Sequence, residues 1–216
     1  MRLEIIKPEE EAQLAVISCA PLVNRKTHNL LVVDIGGGST ELVWIDISKV
    51  PKADRAQSIM RLHGGFYQAK TDVPAARVVD WISVPLGVAT LRDQFSDVED
   101  DAARFALMSW FFEENLTDFT PYQSTQSQDH FQIVGTSGTV TTVAASHLGL
   151  KRYDRTKVDG LRMSSTQIDK VIHSYLAMGP AGRRADPRIG QDRQALIMSG
   201  AAILQALMRC WPTNRL

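Results

Sequence analysis

The chain has 216 residues, 44% of them hydrophobic and 22% charged, with 24 basic side chains against 24 acidic ones. That composition belongs to a soluble globular protein and excludes a low-complexity or disordered polymer, and no apolar run is long enough to cross a bilayer. The charged N-terminus does not read as a signal peptide, and two distant cysteines, Cys19 and Cys210, suggest no disulfide framework and a reducing, cytoplasmic setting.

In chain order, residues 3–6 read as a short strand. Pro8 followed by Glu9, Glu10 and Glu11 then opens a helix, with proline early and acids in the first turn. Residues 30–35 and 40–47 read as two hairpin strands around Gly36, Gly37 and Gly38. The glycines are expected to turn with φ > 0 and to let an anion reach the main-chain N–H groups. Ser39 and Thr40 add hydroxyls, and Asp34 and Glu41 flank the turn as the only carboxylates of the run. A phosphate cradle beside two carboxylates suits phosphate bound with a divalent metal; the plainer alternative is a hairpin with a glycine bulge, Asp34 tying down the turn.

Residues 48–76 read as a long excursion and 77–84 as a third strand, closed by Pro85 and Gly87 and followed by a helical turn over 89–95. Asp97 to Asp101 cap a helix to about Leu116, with an apolar stripe at Phe105, Met108, Phe112 and Leu116. Residues 120–129 read as a loop and 130–134 as a buried strand. Gly135, Thr136, Ser137, Gly138 and Thr139 follow at once, ahead of a helix over 140–148. Free N–H groups and the helix dipole make such a loop an anion site, or a simple helix cap. Ser164 caps a helix to about Met178, residues 179–190 read as a loop, and a last helix covers 192–210. Its Ser199, Gly200, Ala201 and Ala202 permit close approach to another element.

Charge is unevenly spread. Residues 1–150 carry 12 Lys/Arg and 19 Asp/Glu, net −7; residues 151–216 carry 12 and 5, net +7. The basic third suits a polyanion, or is merely a solvated face; no aromatic residues interleave with it as a specific nucleic-acid platform requires. The five histidines show no zinc-ligand spacing. There is no GxxxxGK[ST] run, and no helix follows residues 36–38, so neither a P-loop nor a dinucleotide loop is expected.

Five collinear stretches carry a family resemblance: residues 3–6 with Glu10, Glu11 and Ala12; residues 33–43; residues 84–87; residues 133–142; and Arg193 with residues 200–204. The chain resembles the Ppx/GppA exopolyphosphatase and guanosine pentaphosphate phosphohydrolase family. The resemblance implies an α/β fold: a ribonuclease-H-like lobe of the actin-like ATPase superfamily, with a mixed sheet and flanking helices. It implies hydrolysis of terminal phosphoanhydride bonds in polyphosphate or guanosine pentaphosphate, with Mg²⁺. It places the catalytic base at Glu11, which composition alone reads as a helix-start acid. Asp34 and Glu41 would hold Mg²⁺, or Glu41 would position the water. Gly36, Gly37, Gly38 and Ser39 would cradle the terminal phosphate, and residues 135–139 a second phosphate or the nucleotide end. Arg162 and Arg193 are candidates for extra anion contacts.

Family members carry an earlier Asp-x-Gly-Ser-Asn-Ser loop, which has no counterpart here, and they continue past residue 216 into another strand. The expectation is therefore a second lobe, residues 1–216, nearly inactive without its first lobe and able to self-associate as a homodimer through exposed apolar surface. The 48–76 excursion is long for the family, and Ala195 replaces an acid found in many members. A non-catalytic phosphate or nucleotide sensor and a kinase-type or chaperone-type ATPase are the competing readings.

Overall fold

The computed structural model describes residues 6–66, 74–119, 121 and 130–216. The hairpin forms the middle of the sheet. β1 (Asn29–Ile35) and β2 (Thr40–Asp46) pair antiparallel from Asn29 opposite Asp46 to Ile35 opposite Thr40. β3 (Arg77–Val84) adds antiparallel to β2, and β4 (Phe131–Thr136) adds parallel to β1, giving the order β3-β2-β1-β4. A parallel neighbour needs a crossover, and the helices between β3 and β4 supply it.

β1 and β2 are apolar on both faces because both faces are covered. Leu30, Val32, Val43 and Ile45 pack toward α1 (Pro8–Cys19) and α2 (Arg55–Met60). Leu31, Val33, Ile35, Leu42 and Trp44 join a larger core on the other face. α1 buries Ala12, Ala15, Val16 and Cys19, the i, i+3, i+4, i+7 spacing of one helical stripe. α3 (Val88–Gln94) is short. α4 (Asp101–Glu114) is capped by Asp100, which accepts from the Ala103 N–H at 2.7 Å, and buries the stripe at Phe105, Met108 and Phe112. α5 (Gly138–His147), α6 (Arg155–Val158), α7 (Ser165–Ala185) and α8 (Ile197–Cys210) complete the chain. α8 is buried nearly all round, and Trp44 stacks on Phe131 with ring centroids 5.0 Å apart. The tail lies along β4, whose Ile133 N–H donates to the Arg215 carbonyl at 3.0 Å.

Five expectations are corrected. The 48–76 excursion contains α2 and a following 3-10 turn, held by buried Arg55 donating to the carbonyls of Val50 and Arg25. The expected loop over 179–190 is only partly a loop: the first helical stretch of α7 ends at Met178 as expected, Gly179 (φ 64°, ψ 179°) is non-helical, and Pro180 opens a second short helical stretch that reaches Ala185. That is proline's favoured place, since its missing N–H costs nothing in a first turn. The last helix is split into a 3-10 turn over 191–193 and α8. Gly36, Gly37 and Gly38 are absent from the positive-φ glycines, so a left-handed backbone is not why they are glycine. The Thr40 hydroxyl donates to the Leu86 carbonyl at 2.8 Å inside the fold and does not face a ligand. The expected strand at 3–6, save Ile6, and the expected loop at 120–129, save Pro121, lie outside the described residues.

Among the described residues no helix is long and apolar enough to cross a membrane. Both cysteines are free. Burial pushes the Cys19 thiol up to about 11 and the Cys210 thiol up to about 12. Since only the thiolate is nucleophilic, iodoacetamide at pH 8 is expected to leave both unmodified in the native protein and to label both in guanidinium chloride. Mass spectrometry showing rapid native labelling of Cys19 would contradict the packing described here.

Candidate functional site

Residues paired across a sheet stand side by side on one face. At the turn end of the hairpin one such row crosses all four strands: Ser83, Glu41, Asp34 and Thr136. Side chains alternate along a strand, so Asp34 and Glu41 share their face with Val32 and Val43, the face that α1 covers. The first turn of α1 carries Glu11 to the same place. Its carboxyl pKa is raised by partial burial and by the charges of Glu41 and Asp34. Three acids from three segments therefore sit within electrostatic reach of one another.

Glu41 is the most constrained of them, 2% exposed. Its Oε1 accepts from the Ser83 hydroxyl at 2.8 Å, and its buried Oε2 has no partner among the described residues. A buried unpaired carboxylate oxygen is costly, and a second carboxylate directly across the strand pair adds repulsion. A cation relieves both. Among the described residues no group of three or more His, Cys, Asp or Glu side chains forms a ready-made metal cage. Two hard oxygen donors still fit Mg²⁺, which commonly takes one or two carboxylates and fills its other positions with water and phosphate oxygens.

The turn over 36–39 is closed by the Gly36 N–H donating to the Ser39 carbonyl at 2.9 Å. It rests on the start of α3, where the Val88 N–H donates to the Gly36 carbonyl and the Ala89 N–H to the Gly37 carbonyl, each at 2.9 Å. The first N–H groups of a helix have no partner within the helix; here they fasten the turn. Gly87 permits this contact, since a Cβ there would sit 2.5 Å from the carbonyl oxygens of both Gly36 and Gly37. A Cβ at Gly37 or Gly38 would instead meet nothing within 4 Å. Those two glycines leave an open hollow beside main-chain N–H groups.

The second loop meets the turn at Gly36 and Gly37, which with Gly138, Thr139 and the apolar side chains of Ile35, Val88, Leu196 and Ile197 line a cavity of about 210 Å³. Ser137, which precedes Gly138 in the chain, stands at φ 149°, ψ 171°, a region L-residues rarely enter. Its Oγ accepts from the Val140 N–H at 3.3 Å and caps α5. The close approach expected at Gly200 is made on Thr139, whose side chain occupies the space a Cβ would need. Arg193 lines the cavity but braces the loop, donating to the Gly138 carbonyl and to Thr142 Oγ1, each at 2.8 Å. Arg162 is exposed and lines a separate cavity beside β4 and α5.

The profile of the Ppx/GppA phosphatase family matches residues 1–216. The chain belongs to that family. No curated protein matches it. Among solved structures, the PPX-GPPA enzyme of Aquifex aeolicus is similar at TM-score 0.72 and 23% identity, with 99% of this chain and 60% of that one covered. An exopolyphosphatase-like protein follows at TM-score 0.71 and 27% identity, with 97% and 58% covered. An exopolyphosphatase from Cytophaga hutchinsonii matches at TM-score 0.71 and 18% identity, with 99% and 60% covered. The mixed four-stranded sheet with helices on both faces is thus the actin-like ATPase fold of this Ppx/GppA chain. The chain spans about three-fifths of the length of these solved relatives.

Gly87 is the positioning residue whose role the sequence did not show: it read as the end of β3 and as part of a family-like stretch, with no contact assigned to it. The sequence offered a signal, a glycine between Leu86 and a helix start, but not its contact 50 residues away in the chain.

Proposed function

We propose that this chain is the second lobe of a phosphohydrolase that removes terminal phosphates from inorganic polyphosphate or guanosine pentaphosphate. The observation that carries the reading is the paired Asp34 and Glu41, with a Glu41 Oε2 that has no partner among the described residues, on the two strands that enter and leave a glycine turn which a second loop meets across a cavity. The main-chain N–H groups around Gly37 and Gly38 hold the terminal phosphate, and the start of α5 holds the next one. Asp34 and Glu41 hold Mg²⁺, which when bound supplies neutralisation of phosphate charge. Glu11 orients a water and takes its proton, a role supported by its place within electrostatic reach of Asp34 and Glu41. The water oxygen bonds to phosphorus as the bridging P–O bond breaks. The products are orthophosphate and a chain one unit shorter.

The test is phosphate release from medium-chain polyphosphate and from guanosine pentaphosphate by the full-length protein. Release that requires Mg²⁺ is expected, with almost none from residues 1–216 alone, since the proposed lobe supplies one side of the cleft. No release from either substrate by the full-length protein would reject hydrolysis.

A further inference from the structure

The positive charge of residues 151–216 is not accounted for by the hollow. Arg193 braces a loop there, and Arg162 lies elsewhere. Two of the segment's arginines, Arg183 and Arg184, meet two from earlier in the chain at a second cavity of about 430 Å³, beyond the N-terminal end of α8. Arg92 from α3, Arg104 from α4, and Arg183 and Arg184 from the end of α7 all line it, with Asp101 as its one carboxylate.

The kink at Gly179 and Pro180 builds this wall. The turn restarted by Pro180 carries Arg183 onto α4, where it forks onto Asp101 at 2.8 and 2.7 Å and donates to the Tyr175 carbonyl at 2.8 Å. Arg183 is 4% exposed, so this pair is a fixed and internally neutral part of the wall. The other three arginines have charge to give. Arg104 is held by the carbonyls of Val98 (2.6 Å) and Glu99 (3.4 Å), with no carboxylate partner among the described residues. Arg184 forms no ion pair among the described residues, and its backbone carbonyl is pinned by Gln194 Nε2 at 2.9 Å. Arg92 meets only its neighbour Asp93 in an exposed pair, an interaction of little strength. A cavity with two guanidinium groups that have no carboxylate partner among the described residues, and a third held only in an exposed pair, attracts a multivalent anion. Their planar forks match two oxygens of a phosphate at once.

The cavity is also coupled mechanically to the hairpin. α3 holds the Gly36 and Gly37 carbonyls with its first N–H groups and presents Arg92 from its last turn. Ser199 lines the cavity and donates to the Val88 carbonyl at 2.6 Å.

We infer that this arginine cavity is a second anion site that takes an oligophosphate group, either a free inorganic chain or the phosphates of a nucleotide. The choice of phosphate among anions rests on the proposed phosphohydrolase reading; the site itself rests on its own residues. The test is isothermal titration of the full-length protein with tripolyphosphate in EDTA, which prevents turnover. A binding event is expected that weakens about tenfold in Arg92→Ala or Arg184→Ala and about 100-fold in the double variant. Arg92→Lys/Arg184→Lys keeps the charge without the fork and should fall between. GTP in place of tripolyphosphate separates the two sources, the tighter ligand naming the source. Identical tripolyphosphate isotherms for the wild type and a double variant of unchanged melting temperature would overturn the inference. So would loss of single-stranded DNA binding in that variant with tripolyphosphate binding intact, since the site would then serve nucleic acid. Loss of hydrolysis with this arginine-dependent binding retained would reject the phosphohydrolase reading and leave the anion site standing.

Discussion

Glu11→Gln in the full-length protein is expected to lower kcat by about 10²–10⁴-fold, the usual contribution of a positioned general base, with the melting temperature little changed. Glutamine keeps the shape of the side chain and its place in the first turn of α1, but it cannot take a proton. The environment supports this role. Partial burial and then the charges of Glu41 and Asp34 hold the Glu11 pKa above its ordinary value of 4.5. Activity needs the deprotonated form, so it should decline as pH falls through that raised value. The stability effect has the opposite sense. A raised folded-state pKa favours the protonated fold, so this contribution is full below the ordinary value and is lost as pH rises through the raised one. A Glu11→Gln enzyme with undiminished kcat would place the base elsewhere.

Gly87→Ala is the second large effect, and it acts through structure. The new methyl would overlap the main chain of Gly36 and Gly37, which has no rotamer with which to yield. The hairpin turn must shift off the start of α3, breaking the bonds from Val88 and Ala89. Overpacking of this kind costs about 1–3 kcal/mol, roughly 2–4 °C of melting temperature per kcal/mol in a domain of this size. Hydrolysis should fall with it. Gly37→Ala supplies the contrast. Its Cβ projects into open space, so stability should stay within about 0.5 kcal/mol of wild type, while phosphate release drops because the hollow is narrowed. Calorimetry and phosphate release on the two variants check both statements. Equal melting temperatures for the two would contradict the described contact.

Local patterns carried the sheet. The apolar runs around the three glycines marked β1 and β2 within a residue or so, and the β-branched run at 77–84 marked β3 with its observed ends. Ser164 marked the start of α7 because a capping box is a short-range signal. Gly179 and Pro180 read as a stop, and the helix does end at Met178. The short helical stretch that Pro180 then opens was not legible, because the bidentate Arg183–Asp101 pair that holds it spans 82 residues of sequence. α2 was hidden for a similar reason: its buried Arg55 is satisfied by carbonyls, one of them 30 residues back.

The site divides along the same line. Asp34 opposite Glu41 follows from hairpin register, and register follows from a four-residue turn. The glycine requirement was legible, but its cause was not. It is close backbone packing at Gly36 and open space at Gly37 and Gly38, in place of left-handed dihedrals. Glu11 could be singled out only through family resemblance, because nothing local distinguishes it from Glu9 and Glu10. The packing of α1 on the sheet is what brings it within reach of Asp34 and Glu41.

The most direct measurement is an amide titration of [¹⁵N]glycine-labelled full-length protein with orthophosphate and Mg²⁺. Gly37 and Gly38 on the hairpin and Gly138 on the second loop should shift together along one binding curve, with Gly149 and Gly160, remote from the hollow, unmoved. Separate curves for the hairpin and Gly138, or shifts at neither, would contradict a single phosphate hollow built from both loops.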